Sequence, residues 1–240
     1  MTARFTAVLA LLVCGAGPAW SATTIKTVSI ANAGPIWNVC ILPPEATLAR
    51  VGMKGGASLT KESQEWAEKL AGAFQHAVTE AGGKAIGNLS TGDLLRDDDA
   101  RQSVVRLQRK YDEISVQLRK KPGGVAKGRY TLGDEIALLP CAGHSDSVSF
   151  VQAQGVSSTN GRKAFEIVVS PASGLLSPKA RFDFWIALVD AKSGQVAAFV
   201  HETATDGKIE ADPDGTMAHD LAQGLQQVHV GWVRPPAVTR

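Results

Sequence analysis

The clearest pattern of hydrophobic and polar positions is an alternation over residues 181–204, which predicts two adjacent strands. Every even-numbered position from Phe182 to Leu188 is apolar. The odd-numbered positions Trp185, Ala187 and Val189 are apolar as well. A strand that is apolar on both faces is typical of the interior of a sheet covered on both sides. The five residues 190–194 predict the turn, because Gly194 tolerates a positive φ.

Apolar residues recur at helical spacing in three other segments. The first predicted helix runs from a cap at Thr60 to Ala81, the second follows the acidic run Asp97–Asp99 and stops at Pro122, and the third covers Thr216–Val228. Capping and acidic residues before a helix, and Gly or Pro after it, are the usual signals of helix ends. These segments predict amphipathic helices that pack on a sheet.

Shorter apolar runs predict the remaining strands, at 23–30, 36–42, 84–89, 135–139, 147–156 and 163–170. The last two predict a hairpin around Asn160-Gly161. Pro43-Pro44 ends the strand at 36–42, because proline cannot continue a ladder of backbone hydrogen bonds. Residues 45–59 are predicted to form an irregular exposed loop, because Gly52, Gly55 and Gly56 interrupt the second half of the segment. The order of elements predicts an α/β (α+β) fold with a mixed, mostly antiparallel sheet packed by two or three helices.

The amino terminus has the pattern of a secretory signal peptide over residues 1–21. Arg4 precedes a short apolar run, and Ala19-Trp20-Ser21 predicts cleavage between Ser21 and Ala22. The alternative is lipidation of Cys14, which normally requires a small residue in place of Val13. The apolar run is far shorter than the ~20 residues of a membrane span. We therefore expect a periplasmic or secreted protein without a transmembrane segment, consisting of one domain over 22–230 and a flexible tail at 231–240.

Two cysteines remain after the predicted cleavage, Cys40 and Cys141. An even pair in an exported protein favours a disulfide. A redox pair would normally have two residues between the cysteines, and these lie far apart in the sequence.

The charge of the chain is nearly balanced, with 25 basic and 23 acidic residues. This balance argues against a nucleic-acid-binding protein, which needs clustered positive charge. The basic run Arg119–Lys121 is interpreted as the end of the second helix, where cations favour the helix dipole.

Candidate chemistry is concentrated in the loop 141–146. Ser145 stands in a sequence like that of a nucleophile elbow, but the last glycine of that motif is replaced by Ser147 and no helix follows. Cys141, His144 and Asp146 have a spacing at which a metal site is conceivable, provided that the cysteine is a free thiolate. Polar loop residues between strands are the simpler interpretation.

A second candidate, at 210–215, resembles the opening of a calcium loop. Its twelfth position is Leu221 in place of the bidentate glutamate, and Pro213 interrupts it. Asp214 as the cap of the last helix explains the same residues. The sequence therefore assigns no catalytic, cofactor-binding or metal-binding residue and no cofactor.

The order of elements resembles a known bacterial envelope domain. The strand start Val39–Pro44 before the helix at 66–81, and the hairpin Ala187–Val196, are similar to the α/β domain of the curli secretion subunit, the lipoprotein activators of peptidoglycan synthases and the amino-terminal domain of TolB. This resemblance implies a non-catalytic domain that docks on other envelope proteins, and it transfers no site residue. Those lipoproteins carry a lipidated cysteine directly after the signal, which we do not expect here if cleavage follows Ser21.

The sequence thus favours a non-catalytic envelope protein that acts by binding another envelope protein. The alternative is a periplasmic hydrolase or metal-binding enzyme that uses the loop 141–146. A structural subunit that self-associates in a larger assembly is a third interpretation.

Overall fold

The computed structural model describes residues 24–29, 38–52, 55–88, 97–158, 181–204 and 213–228. The predicted cleavage site at Ser21 and Ala22, the alternative lipidation site Cys14, the turn at Asn160-Gly161 and the tail 231–240 lie outside these residues.

The described residues form an eight-stranded mixed sheet with three α-helices. The strands are β1 (Thr24–Ser29), β2 (Asn38–Ile41), β3 (Glu45–Gly52), β4 (Gly55–Ser58), β5 (Lys84–Asn88), β6 (Ser147–Ser158), β7 (Arg181–Asp190) and β8 (Val196–Ala204). The α-helices are α1 (Thr60–Glu80), α2 (Asp98–Lys120) and α3 (Pro213–Gln227), and three 3-10 helices cover Pro122–Lys127, Asp134–Leu138 and Ala142–His144. The predicted fold class is confirmed.

The sheet is built around β6 and β7. Its order is β1-β8-β7-β6-β2-β5, and β3 lies beside β6 and pairs with β4 on its other side. The pairs β1–β8, β8–β7, β7–β6 and β3–β4 are antiparallel, whereas β2 and β3 run parallel to β6 and β5 runs parallel to β2.

The strands β2 and β3 lie end to end along one edge of β6. Val39 pairs with Ser147 in the first part, and Glu45 pairs with Gln152 in the second. The prediction of an irregular loop over 45–59 is therefore wrong, since this segment contains β3 and β4. The two prolines interrupt the ladder only locally, because a proline removes one backbone donor and the next residues are free to resume pairing.

Helices cover both faces of the sheet. On β7 the side chains of Phe182, Phe184, Ile186 and Leu188 face α1 and α3, whereas those of Trp185, Ala187 and Val189 belong to the core under α2 and the 3-10 helices. All seven are buried. The two-sided apolar pattern of this strand is confirmed, and so is the turn after it, where Gly194 has a φ of 67° and Asp190 accepts hydrogen bonds from the amides of Lys192 and Ser193.

The end of α1 before Gly82 and the start of α2 agree with the sequence, whereas the starts of α1 and α3 depart from it. Asp97 caps α2 by accepting hydrogen bonds from two backbone amides. Thr60 is the first residue of α1, and the cap position belongs to Leu59, which has no side-chain acceptor. The last helix begins at Pro213, so Asp214 lies inside it and is not its cap. Proline suits the first turn of a helix, because the backbone N–H groups of that turn have no acceptor within the helix and the N–H that proline lacks is not needed there.

The predicted strand at 135–139 is a 3-10 helix over Asp134–Leu138. A five-residue apolar run does not distinguish a strand from a short buried helical turn. In a strand, Ile136 and Leu138 would lie on the same face. Here Ile136 is buried while Leu138 is 61% exposed, as expected for a helical turn.

The predicted disulfide is present. Cys40 of β2 is bonded to Cys141, the residue before the third 3-10 helix, and their Cα atoms are 5.7 Å apart. Both cysteines are buried. Because such bonds persist in oxidising compartments, the pair indicates an extracytoplasmic protein. Among the described helices, none is long and apolar enough to cross a membrane.

Candidate functional site

The loop 141–146, the site of the alternative enzyme hypothesis, is used for structure. Cys141 is held in the disulfide and has no free thiolate to offer. The hydroxyl of Ser145 is buried and donates to the backbone carbonyls of Cys141 at 2.9 Å and Ala142 at 3.4 Å. A hydroxyl that closes a helical turn in this way is not positioned as a nucleophile.

Asp146 also has a structural role in this loop. Its Oδ2 atom accepts a hydrogen bond from the amide of Asn38 at 2.8 Å, and its own amide donates to the carbonyl of Asn38. These bonds fix the start of β2 beside the start of β6. His144 is exposed on the last turn of the 3-10 helix.

Within the described residues, no three His, Cys, Asp or Glu side chains are grouped so that they could hold a metal ion. The first half of the calcium-like segment, including Glu210 and Asp212, lies outside the described part of the chain.

The structure brings together a different group of polar side chains, on the sheet face that α2 packs against. The strands β3, β6, β7 and β8 extend past α2, and their side chains form adjoining rows there. We call this group the polar shelf; it consists of Glu45, Asp112, Arg119, Gln152, Gln154, Asp183, His201 and Thr203. Gln154 is exposed, and the side chains of Asp183 and His201 keep 15% and 28% of their surface open.

The first part of the polar shelf is a pair of carboxylates joined by one amide. The Nε2 atom of Gln152 donates to Glu45 Oε2 at 3.0 Å and to Asp112 Oδ1 at 2.8 Å. Burial raises the pKa of the Glu45 carboxyl, the bond from Gln152 lowers it, and the nearby charge of Asp112 raises it further; the net shift is upward. The amide thus holds two acidic groups in a fixed position on the sheet.

The second part is a stack of side chains beside that pair. The guanidinium carbon of Arg119 lies 4.6 Å from the ring centroid of Trp185, and the imidazole of His201 stacks on the same indole at 5.5 Å. Trp185 is the register partner of both Gln152 and His201, so the stack lies directly beside the carboxylate pair and extends from β7 to β8. The buried indole Nε1 has no hydrogen-bond partner within the described chain.

The third part is a hydrogen-bonded group on β7 and β8. Thr203 Oγ1 donates to Asp183 Oδ1 at 2.6 Å, and His201 Nε2 lies 3.3 Å from the same oxygen. A catalytic relay needs the two ring nitrogens of histidine to face different partners, the acid and the nucleophile. Here Nε2 faces both Asp183 and Thr203, so the group orients side chains and does not activate the hydroxyl.

Tyr111 lies beside the polar shelf and does not offer it a base. Its ring stacks on Phe150 with centroids 4.7 Å apart, and burial raises its pKa far above the usual range. The phenol therefore remains protonated at any physiological pH.

The polar shelf was not predicted from the sequence. Its residues come from four strands and one helix, and only the register between strands brings them to one place. A signal was present in the alternation, since Gln152 and Gln154 are polar and follow the apolar Val148 and Phe150 at positions of the same parity in β6.

Comparisons with known proteins give no family for this chain. No protein-family model matches it, and no curated protein matches it. Among solved structures, it is similar to the PelC dodecamer from Paraburkholderia phytofirmans, with a TM-score of 0.34 and 9% identity over 85% of this chain and 95% of that chain. A variant of the same dodecamer gives a TM-score of 0.33 at 9% identity, over 85% and 96% of the two chains. These values are too low to carry an argument about function.

Proposed function

We propose that the chain is a non-catalytic, periplasmic envelope protein that binds another envelope protein through the polar shelf. The observation that carries this proposal is the fixed and partly open arrangement of hydrogen-bonding groups where the sheet extends past α2. Gln152 holds two carboxylates, and Asp183 holds Thr203 and His201, so both groups stand in one geometry before any partner arrives.

Preorganised side chains on strands are suited to binding, because little rotamer entropy is lost when a partner docks. Pairs of buried or half-buried charged groups also select among partners, since a wrong partner leaves them without a counterpart. The polar shelf presents acidic, basic and neutral polar groups within a small area, which favours a protein surface of mixed charge as the partner.

The non-catalytic part of the proposal rests on the geometry of the two candidate catalytic groups. Ser145 donates its hydroxyl proton to backbone carbonyls. Thr203 donates to Asp183, and the imidazole beside it turns the same nitrogen, His201 Nε2, to both of these residues. The periplasm is proposed because the disulfide requires an oxidising compartment and the leader has the pattern of an export signal.

The test is site-specific crosslinking in the cell envelope. A photoreactive amino acid replaces Gln154 on the polar shelf or, as the matched control, exposed Gln75 on α1 at the opposite face of the sheet. We expect irradiation to give one discrete adduct from position 154, identified by mass spectrometry, and none from position 75.

A second variant shows whether the shelf itself makes the contact. Asp183→Asn keeps the shape of the side chain and removes its charge, and it is expected to lower the yield of the 154 adduct about tenfold. An adduct of equal yield from both positions, or one that Asp183→Asn leaves unchanged, would contradict the proposal.

A further inference from the structure

The sequence from Ile114 to Gly133 contains five basic residues and no acidic residue. This excess is larger than the net charge of +2 of the whole chain, so the remainder is net negative. The chain is therefore nearly neutral in total and strongly asymmetric in where its positive charge lies.

The fold gathers most of this charge at one place. After α2 ends, the 3-10 helix Pro122–Lys127 turns the chain back, and Tyr130 donates its hydroxyl proton toward the carbonyl of Lys121 at 2.9 Å. The amide of Arg129 bonds to the carbonyl of Gly124, which closes the turn. We call the resulting surface the basic corner; it consists of Lys120, Lys121, Lys127 and Arg129.

The basic corner is exposed, and no acidic side chain of the described residues neutralises it. All four residues are exposed, and within the described chain no carboxylate lies at ion-pair distance from any of them. By contrast, Lys110 is paired with Glu135 at 2.9 Å. The positive charge of the corner is thus directed to solvent.

The helix dipole explains only part of this surface. Cations in the last turn of α2 are favourable there, which accounts for Lys120. Lys127 and Arg129 follow the helix by more than one turn, where the effect of its dipole has decayed. Their charge needs another explanation.

The outward face of α2 adds apolar side chains next to the basic corner. Val105 and Val116 are 41% and 44% exposed, and their separation of three turns places them on one line of the helix. Arg109 and Asp112 lie on the same line between them, and both are exposed, as is the neighbouring Glu113. The basic residues that adjoin the two valines are therefore those of the basic corner, and aliphatic side chains beside exposed lysines and arginines are typical of proteins that lie on a membrane surface.

We propose that the basic corner and the adjoining face of α2 bind an anionic phospholipid surface peripherally. Lysine and arginine would lie at the level of the headgroup phosphates, and Val105 and Val116 would enter the shallow interfacial layer. A phospholipid surface explains the valines as well as the charge, whereas a soluble polyanion would use the charge alone. This inference uses residues outside the polar shelf, so it stands or fails independently of the proposed function.

The test is flotation of the exported, disulfide-bonded chain with vesicles. Vesicles of phosphatidylcholine mixed with phosphatidylglycerol are compared with vesicles of phosphatidylcholine alone, over a range of salt concentrations. We expect binding to the anionic vesicles only, weakening as salt rises. Each lysine or arginine near such a surface contributes roughly fivefold in affinity.

The decisive variant is Lys120→Glu, Lys121→Glu, Lys127→Glu, which should weaken binding at least about 100-fold. The matched control, Lys61→Glu, Lys69→Glu, Lys84→Glu, changes the net charge equally on other elements and should bind almost as the unchanged chain does. Val105→Ser with Val116→Ser should leave a weaker binding that is more sensitive to salt.

Three outcomes would overturn the inference. The first is no binding to anionic vesicles, or equal binding to neutral ones. The second is an equal loss in both triple variants, which would make net charge the cause. The third is binding of soluble polyglutamate or polyphosphate without binding of vesicles, which would assign the surface to a soluble polyanion.

Discussion

Arg119 of α2 lies over the indole of Trp185 on β7, with 4.6 Å between the guanidinium carbon and the ring centroid. The same guanidinium donates to the backbone carbonyl and the hydroxyl of Ser115. This contact attaches the last turns of α2 to the middle of the sheet at the border of the polar shelf.

A double-mutant cycle measures this contact. Arg119→Met and Trp185→Leu, singly and together, should show a coupling free energy of about 0.5–2 kcal/mol in urea unfolding, because a cation over an aromatic face is stabilising and more so when partly desolvated. Lys120→Met, at the exposed neighbouring position, is the control and should show no coupling with Trp185→Leu. A coupling near zero for Arg119 would contradict the stacked geometry.

Gly155 of β6 lies where a side chain does not fit. A Cβ atom there would stand 2.5 Å from Leu48 and 2.7 Å from the ring of Phe182. Gly155→Ala should therefore lower the free energy of unfolding by about 1–3 kcal/mol. Gly72→Ala is the matched control, since that position is an exposed part of α1 with open space around it, and it should gain about 0.5–1 kcal/mol. Equal effects of the two substitutions would argue against the packing of β3 and β7 on β6.

Glu45 should make the stability of the protein depend on pH. Its pKa is raised in the folded state by burial, so the folded protein holds this proton more tightly, and stability falls as pH rises from the ordinary value of 4.5 upward. Glu45→Gln should therefore raise Tm at pH 7 and leave it nearly unchanged at pH 3, where the carboxyl is protonated in both states.

The control for this experiment is Glu68→Gln, at an exposed position of α1. Thermal unfolding followed by circular dichroism at several pH values gives both comparisons. If Glu45→Gln lowered Tm at pH 7, the ionised carboxylate would be stabilising, and the desolvation described above would be wrong.

The disulfide should contribute strongly to stability. The two cysteines are separated by 101 positions, and closing such a loop in the unfolded chain corresponds to about 4–5 kcal/mol in the chain-entropy account. The double variant Cys40→Ala, Cys141→Ala should lose much of this amount in urea unfolding. The intact mass after alkylation without reductant checks the bond directly, and alkylation of both thiols would contradict it.

The parts of the fold that the sequence predicted are those with local signals. The hairpin of β7 and β8 follows from its alternation and from Gly194, and α2 follows from its apolar stripe and from the cap at Asp97. In both cases the residues that decide the structure lie within a few positions of each other.

The missed parts depend on distant partners. The strand β3 exists because Glu45 and its successors pair with Gln152 and the residues after it, which no local pattern shows. The polar shelf has the same origin, since its carboxylate pair joins β3, α2 and β6. The resemblance to the envelope α/β domains, with the binding role that it implies, remains a prediction.

The position of β2 and β3 on one edge of β6 has a consequence for the folding of the chain. Asn38 and Asp146, which align the first of these pairs, are 108 positions apart, whereas β7 and β8 are joined by a short turn. Contacts at such separation form late, because the entropy of closing the loop must be lost first. Until they form, the backbone donors and acceptors on one side of β6 have no partner, so the chain is most exposed to association with other chains during that interval.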